Sequence, residues 1–125
     1  MKKILFIFTL FFFSCGNDDA NSRTPQEILS DMEIIDAEIS FMLITSCNGN
    51  DECRATAYGV KACGGPVKYL IHSSNMDMDR FNLLVETYNE LNAAYNEATS
   101  AISDCSLEVQ PNVECVSGDC QVVGD

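Results

Sequence analysis

Six cysteines in the body of a 125-residue chain restrict what it can fold into more than any other feature. They are Cys47, Cys53, Cys63, Cys105, Cys115 and Cys120. A chain of this size buries about two-thirds of its unfolded surface, so cross-links add what a modest core does not supply. An even count reads as a disulfide framework, and six cysteines allow fifteen pairings. Metal binding and redox catalysis fit less well, because there is no C-x-x-C pair and His72 is the only histidine. No metal and no cofactor is expected.

Disulfides need export, and the N-terminus reads as its signal. Met1-Lys2-Lys3 precedes an apolar run from Ile4 to Phe13, broken only by Thr9 and followed by Ser14 and Cys15. The order basic, apolar, small is that of a secretory signal peptide. The run is shorter than the roughly 20 residues a membrane-spanning helix needs. Phe12-Phe13-Ser14-Cys15 resembles the lipobox of bacterial lipoproteins, with Phe12 where Leu is usual. That resemblance implies cleavage before Cys15 and lipidation of its sulfur. Gly16-Asn17-Asp18-Asp19 is similar to the acidic tether of surface-exposed lipoproteins of the Bacteroidota. It implies an outer-membrane lipoprotein held by acyl chains, since one chain alone binds only marginally. The expected partition is a signal peptide over 1–14, a lipidated tether over 15–23 and a disulfide-stabilised domain over 24–125.

Loss of the signal leaves 111 residues with five basic and nineteen acidic side chains, a formal charge of −14. Such a body repels nucleic acid. The partners it permits are the membrane, through Cys15, and another protein.

Two stretches carry helical periodicity. Thr24-Pro25-Gln26-Glu27 reads as a capping box with proline at the first helical position. Apolar residues follow at Ile28, Met32, Ile35, Ile39 and Met42, one stripe of a helix running to about Ser46. Ile34, Phe41, Leu43 and Ile44 widen that stripe, which implies burial on more than one side. The second helix opens at Asp77 and carries Phe81, Leu84, Tyr88, Leu91, Tyr95, Ala98 and Ile102. Asn82, Asn89, Asn92 and Asn96 lie off the stripe on a polar face.

Between the helices, Cys47 to Cys53 is a turn by composition, too short for a calcium loop. Tyr58 to Pro66 reads as irregular, with Gly64 and Gly65 marking a special backbone path. Val67 to His72 is β-prone. Beyond Cys105, Val113 to Val123 reads as a hairpin around Ser117-Gly118.

Gly59-Val60-Lys61-Ala62-Cys63-Gly64-Gly65-Pro66, Tyr69-Leu70-Ile71-His72-Ser73 and Ser103-Asp104-Cys105 together resemble a small family of bacterial, often Bacteroidota, lipoproteins. That family carries a Lys-x-Cys-Gly-Gly-Pro core and a Ser-Asp-Cys, and Tyr is common where His72 stands. The resemblance covers residues 47 to 120. It implies an exported class and a shared fold, and no chemistry.

The expected architecture is mainly α with a small β component. Two long antiparallel helices of about 22 and 25 residues pack together, with a disulfide-stapled irregular segment and a short C-terminal hairpin. If the segment between the helices runs down the pair and back, Cys63 meets Cys105; Cys47–Cys53 and Cys115–Cys120 become local staples. The expected function is non-catalytic: an envelope lipoprotein that binds another macromolecule through a contact surface of Tyr58, Lys61, Gly64, Gly65 and Pro66. Its alternatives are a purely structural lipoprotein and a small hydrolase using His72.

Overall fold

The computed structural model describes residues 23–124. The signal peptide, Cys15 and most of the tether lie outside the described residues. The fold is a small α+β arrangement cross-linked by three disulfides.

Helix α1 spans Pro25–Met42. The Thr24 side chain accepts from the Glu27 N–H and Glu27 reaches back to the Thr24 N–H, so the capping box is formed. Helix α2 spans Met78–Thr99, with the Asp77 carboxylate accepting from the Arg80 N–H. Arg80 of α2 is ion-paired to Glu38 of α1, and Ile28 of α1 borders a groove with Leu91 and Ala94 of α2.

Both helices are shorter than their periodicity predicts. Leu43 leaves the helical region at ψ 123, and the next residues become extended. The Ile44 carbonyl accepts from the Ser73 N–H at 2.6 Å, and the Thr45 carbonyl from the Cys120 N–H at 2.7 Å. Backbone pairing on two sides wins over another helical turn. Ser100 ends α2 in the left-handed region at φ 51, so Ile102, counted on the stripe, lies outside the helix and is exposed.

Strands β1 (Cys53–Val60) and β2 (Pro66–Ser73) form an antiparallel hairpin with Cys53 opposite Ser73 and Val60 opposite Pro66. The segment read as irregular is thus half strand. Gly59 stands inside β1 at φ +74, and a Cβ there would sit 2.9 Å from Val67, so only glycine fits. Strands β3 (Val113–Val116) and β4 (Asp119–Val122) form the expected second hairpin. Its turn residues Ser117 and Gly118 both have positive φ, as a two-residue turn between right-twisted strands requires.

The main core gathers Ile39, Tyr58, Phe81 and Val85, where α1, β1 and α2 meet. Of the α1 stripe, Ile28, Met32 and Ile39 are buried. Ile34 and Phe41 are not: Phe41 is 94 % exposed, so the widened stripe does not bury its C-terminal half on two sides. A second core consists of the sulfur-rich contact between the hairpins, Cys47, Cys53 and Cys120, with Ile71 and Val113 against it.

The disulfides are Cys47–Cys115, Cys53–Cys120 and Cys63–Cys105. The last agrees with the packing expectation. The two local staples are corrected, and the reason lies in register. Cys115 and Cys120 are cross-strand partners, so both side chains leave one face of the hairpin. The 45–47 segment pairs alongside β4, with Ser46 opposite Asp119, and this brings Cys47 and Cys53 to that face. Each hairpin cysteine therefore finds a distant partner. The sulfurs of Cys47, Cys53 and Cys120 lie within 4.8 Å of one another because two disulfides are stacked side by side.

Candidate functional site

The sequence offered two kinds of site, a contact surface near Gly64-Gly65 and a hydrolase centre at His72. The structure treats them very differently. His72, on β2, is fully buried against the Phe81 ring, with centroids 4.5 Å apart. Its Nδ1 is 3.1 Å from the Ser73 carbonyl, which can only accept, so Nδ1 carries the proton. Nε2 is then left to accept from the Thr56 hydroxyl at 2.7 Å. Both ring nitrogens are satisfied, Ser73 is as buried as His72, and solvent reaches neither.

Burial holds the His72 pKa below its ordinary value of 6.5. An unfolded chain takes up a proton near pH 6.5 where the folded one does not. The stability that neutral His72 contributes is therefore present above pH 6.5 and is lost as pH falls toward the lowered folded pKa. The unfolding free energy from urea titrations should decline between pH 7 and pH 5 by up to about 1.4 kcal/mol per pH unit. His72→Gln should flatten that decline, and equal slopes in the two proteins would show that another group carries it.

Of the residues expected at the contact surface, Tyr58 is corrected: it is 2 % exposed and belongs to the core. Its ring stacks on Tyr88 at 4.2 Å and its hydroxyl donates to Asp36 at 2.6 Å. Burial, followed by that bond to a carboxylate, pushes the phenol pKa far upward. The Lys68 ammonium also lies over the Tyr58 ring, 5.3 Å from its centroid.

The remaining four residues stay together at the β1–β2 turn. The Lys61 N–H donates to the Gly65 carbonyl and the Gly64 N–H to the Lys61 carbonyl, both at 2.9 Å. Gly64 and Gly65 have φ of +96 and +82 and face open space, and Pro66 begins β2. The glycines are explained by the backbone path. Behind the turn, an open cleft of about 430 Å³ is lined by Val60, Lys61, Ala93, Asn96 and Ser100.

Three asparagines of the polar face of α2, Asn89, Asn92 and Asn96, hold the end of β1. Asn89 accepts from the Gly59 N–H at 2.8 Å and Asn92 from the Val60 N–H at 2.6 Å. Asn96 donates to the Val60 carbonyl at 2.7 Å. These side chains satisfy backbone groups that Gly59-Val60 leaves unpaired in the sheet, and they fix the turn against α2.

Lys61 reaches away from the turn. Its ammonium donates to the carbonyl and the hydroxyl of Ser106, each at 2.8 Å, and lies 3.3 Å from Glu108 and 3.8 Å from Asp104. The strap between α2 and β3, fastened by Cys63–Cys105, is thus clamped beside the Gly64-Gly65 turn. Asp104 accepts from the Ser106 N–H and hydroxyl, and these bonds hold its carboxyl below the usual carboxylate range. Farther along, Gln110 donates to the Ala55 carbonyl of β1 at 3.4 Å.

Even-numbered residues 106, 108 and 110 face the body, and the apolar Leu107 and Val109 between them face solvent. The sequence reading missed this strap. Its signal is the alternation Ser106-Leu107-Glu108-Val109-Gln110 next to Pro111, a period of two without a strand partner. The surface assembled here is therefore the Lys61–Pro66 turn together with residues 104–110. Comparison with family models, curated proteins and solved structures finds no match for this chain.

Proposed function

We propose that this protein is a lipoprotein anchored to the outer membrane through Cys15, whose folded body binds another envelope or extracellular macromolecule without catalysis. Three disulfides place the folded body in an oxidising, extracytoplasmic compartment, and among the described residues no helix is long and apolar enough to cross a membrane. The lipobox-like Ser14–Cys15 junction, the acidic tether and the resemblance to Bacteroidota lipoproteins support the anchor and the outer membrane. The two helices, taken as an antiparallel pair, form the rigid back of the module.

One observation carries the binding reading. Leu107 and Val109 stand 86 % and 83 % exposed on a strap that a disulfide and Lys61 immobilise. Apolar side chains held out in water on an ordered segment are area that a partner's surface can bury with a gain in binding free energy. A non-catalytic role is supported by the sealed environment of His72.

Cys15→Ser is expected to move the protein from the membrane fraction to the soluble fraction and to abolish metabolic acyl labelling. Retention in the membrane would refute the anchor. Affinity capture of envelope proteins with the wild-type chain and with Leu107→Asp/Val109→Asp separates binding from scaffold. Loss of specific partners at unchanged melting temperature supports the contact surface. Identical capture by both favours the purely structural alternative.

A further inference from the structure

The two stacked bridges bring sulfurs within reach of partners other than their own. Cys47 is bonded to Cys115 and Cys53 to Cys120, yet the sulfurs of Cys47, Cys53 and Cys120 all lie within 4.8 Å of one another. Cys115 and Cys120 face each other across the β3–β4 hairpin. Their N–H groups point outward, to the Asn50 side chain and the Thr45 carbonyl, so the two residues are a non-hydrogen-bonded pair. Side chains stand closest at such a pair, within the span of a disulfide. Cys115 is also the one cysteine of the four that is not buried, which gives an external thiol a point of entry.

We propose that Cys47–Cys115 and Cys53–Cys120 form a thiol-triggered switch, exchanging to Cys47–Cys53 and Cys115–Cys120 and so releasing the C-terminal hairpin from the body. The observed pairing is the resting state. The trigger is a thiolate small enough to reach the half-buried Cys115. It attacks the Cys115 sulfur, forms a mixed disulfide there and expels the Cys47 thiolate. Cys47 then attacks the neighbouring Cys53 sulfur, closes Cys47–Cys53 and expels the Cys120 thiolate. Finally Cys120 attacks the Cys115 sulfur of the mixed disulfide, closes Cys115–Cys120 and sets the triggering thiolate free. Two disulfides break and two form, the thiolate returns unchanged, and no oxidant or reductant is consumed. Cys63–Cys105 takes no part, so the strap stays fastened.

Because the exchange is redox-neutral, chain entropy and hairpin docking set its equilibrium. The local bridges close loops of about 7 and 6 residues in place of about 27 and a dozen, which favours release by roughly 20-fold. Four hydrogen bonds oppose it. The Cys47 N–H donates to the Gly118 carbonyl, the Cys120 N–H to the Thr45 carbonyl, the Thr45 hydroxyl to Asp119 and the Cys115 N–H to Asn50. Each is worth roughly fivefold, and the contact of Ile71 and Val113 with the sulfurs adds to the same side. The docked pairing therefore leads by roughly 30-fold or more. A balance that close is shifted by small changes in docking.

The test incubates the oxidised full chain with a substoichiometric amount of reduced glutathione in the absence of oxygen. Thiols are then blocked in acid and the chain is digested with trypsin without reduction. Cys47 and Cys53 share the tryptic peptide 24–54, Cys105, Cys115 and Cys120 share 81–125, and Cys63 lies on 62–68. In the observed pairing all three peptides are joined. The expected result is release of 24–54, two hydrogens lighter than its dithiol form, while 62–68 stays joined to 81–125. Thr45→Val/Asn50→Ala removes two of the docking bonds and should raise the released fraction by roughly 25-fold. If 24–54 remains joined to 81–125 in both proteins, the proposal is overturned. It is overturned equally if 24–54 is released only with blocked thiols on Cys47 and Cys53, which is plain reduction, or if 62–68 becomes joined to 24–54, which is general scrambling.

Discussion

Replacing all four cysteines of the two stacked bridges, Cys47–Cys115 and Cys53–Cys120, by alanine is expected to destabilise the protein by roughly 6 kcal/mol, against roughly 3 kcal/mol for either pair alone. The bridged residues are 68 and 67 positions apart in the chain. Cys63–Cys105 already shortens that path, because it joins the middle of the loop. With it in place, the first hairpin bridge closes an effective loop of roughly 27 residues and the second a loop of roughly a dozen. Removal of one bridge forfeits only the smaller closure; removal of both frees the C-terminal hairpin from the rest of the chain.

The hairpin has little else to hold it. Its attachments are the backbone bonds to residues 45 and 47, the Thr45 hydroxyl bond to Asp119, the Asn50 bond to the Cys115 N–H and the small apolar contact around the sulfurs. A loss of 6 kcal/mol approaches the whole stability of a small domain. Urea denaturation of the two double variants and the quadruple variant measures all three. A quadruple variant no less stable than either double variant would show that the bridges do not act as separate closures.

Phe81→Ala is expected to cost about 3–5 kcal/mol. Among the described residues Phe81 is the largest fully buried side chain, and it sits where α2 meets β1, α1 and the His72 ring. Truncation removes its transfer free energy and leaves a cavity that helix and sheet cannot close without breaking Asn89, Asn92 and Asn96 away from β1. Phe81→Leu retains most of the volume and should lose less than half as much. Leu84 and Leu91 share the stripe but are only half-buried, so their alanine variants should fall below Phe81→Ala. Chemical denaturation of the set decides. A Phe81→Ala loss under about 1.5 kcal/mol would mean the site collapses, contrary to the clamped geometry described above.

Local features were legible from residues alone. Thr24-Pro25-Gln26-Glu27 announces α1, Asp77 announces α2, and Ser117-Gly118 announces the second hairpin, because capping and turn chemistry involve neighbours within four residues. The stripe from Ile28 to Met42 finds the core face for the same reason, with Ile28, Met32 and Ile39 buried. Tertiary contacts decided the rest. Helix α1 stops at Met42 because Ser73 and Cys120, far along the chain, offer backbone partners to residues 44 and 45. Tyr58 changes from a surface residue to a core residue because β1 pairs with β2 and packs against α2, where its ring stacks on Tyr88. The disulfide pattern followed strand register rather than sequence proximity, and the strap acquired its exposed Leu107 only when Lys61, more than forty residues away, fixed its neighbours. Short-range chemistry is written in consecutive residues; which distant groups compete for a backbone bond, a sulfur or an ammonium is settled only when the chain is folded.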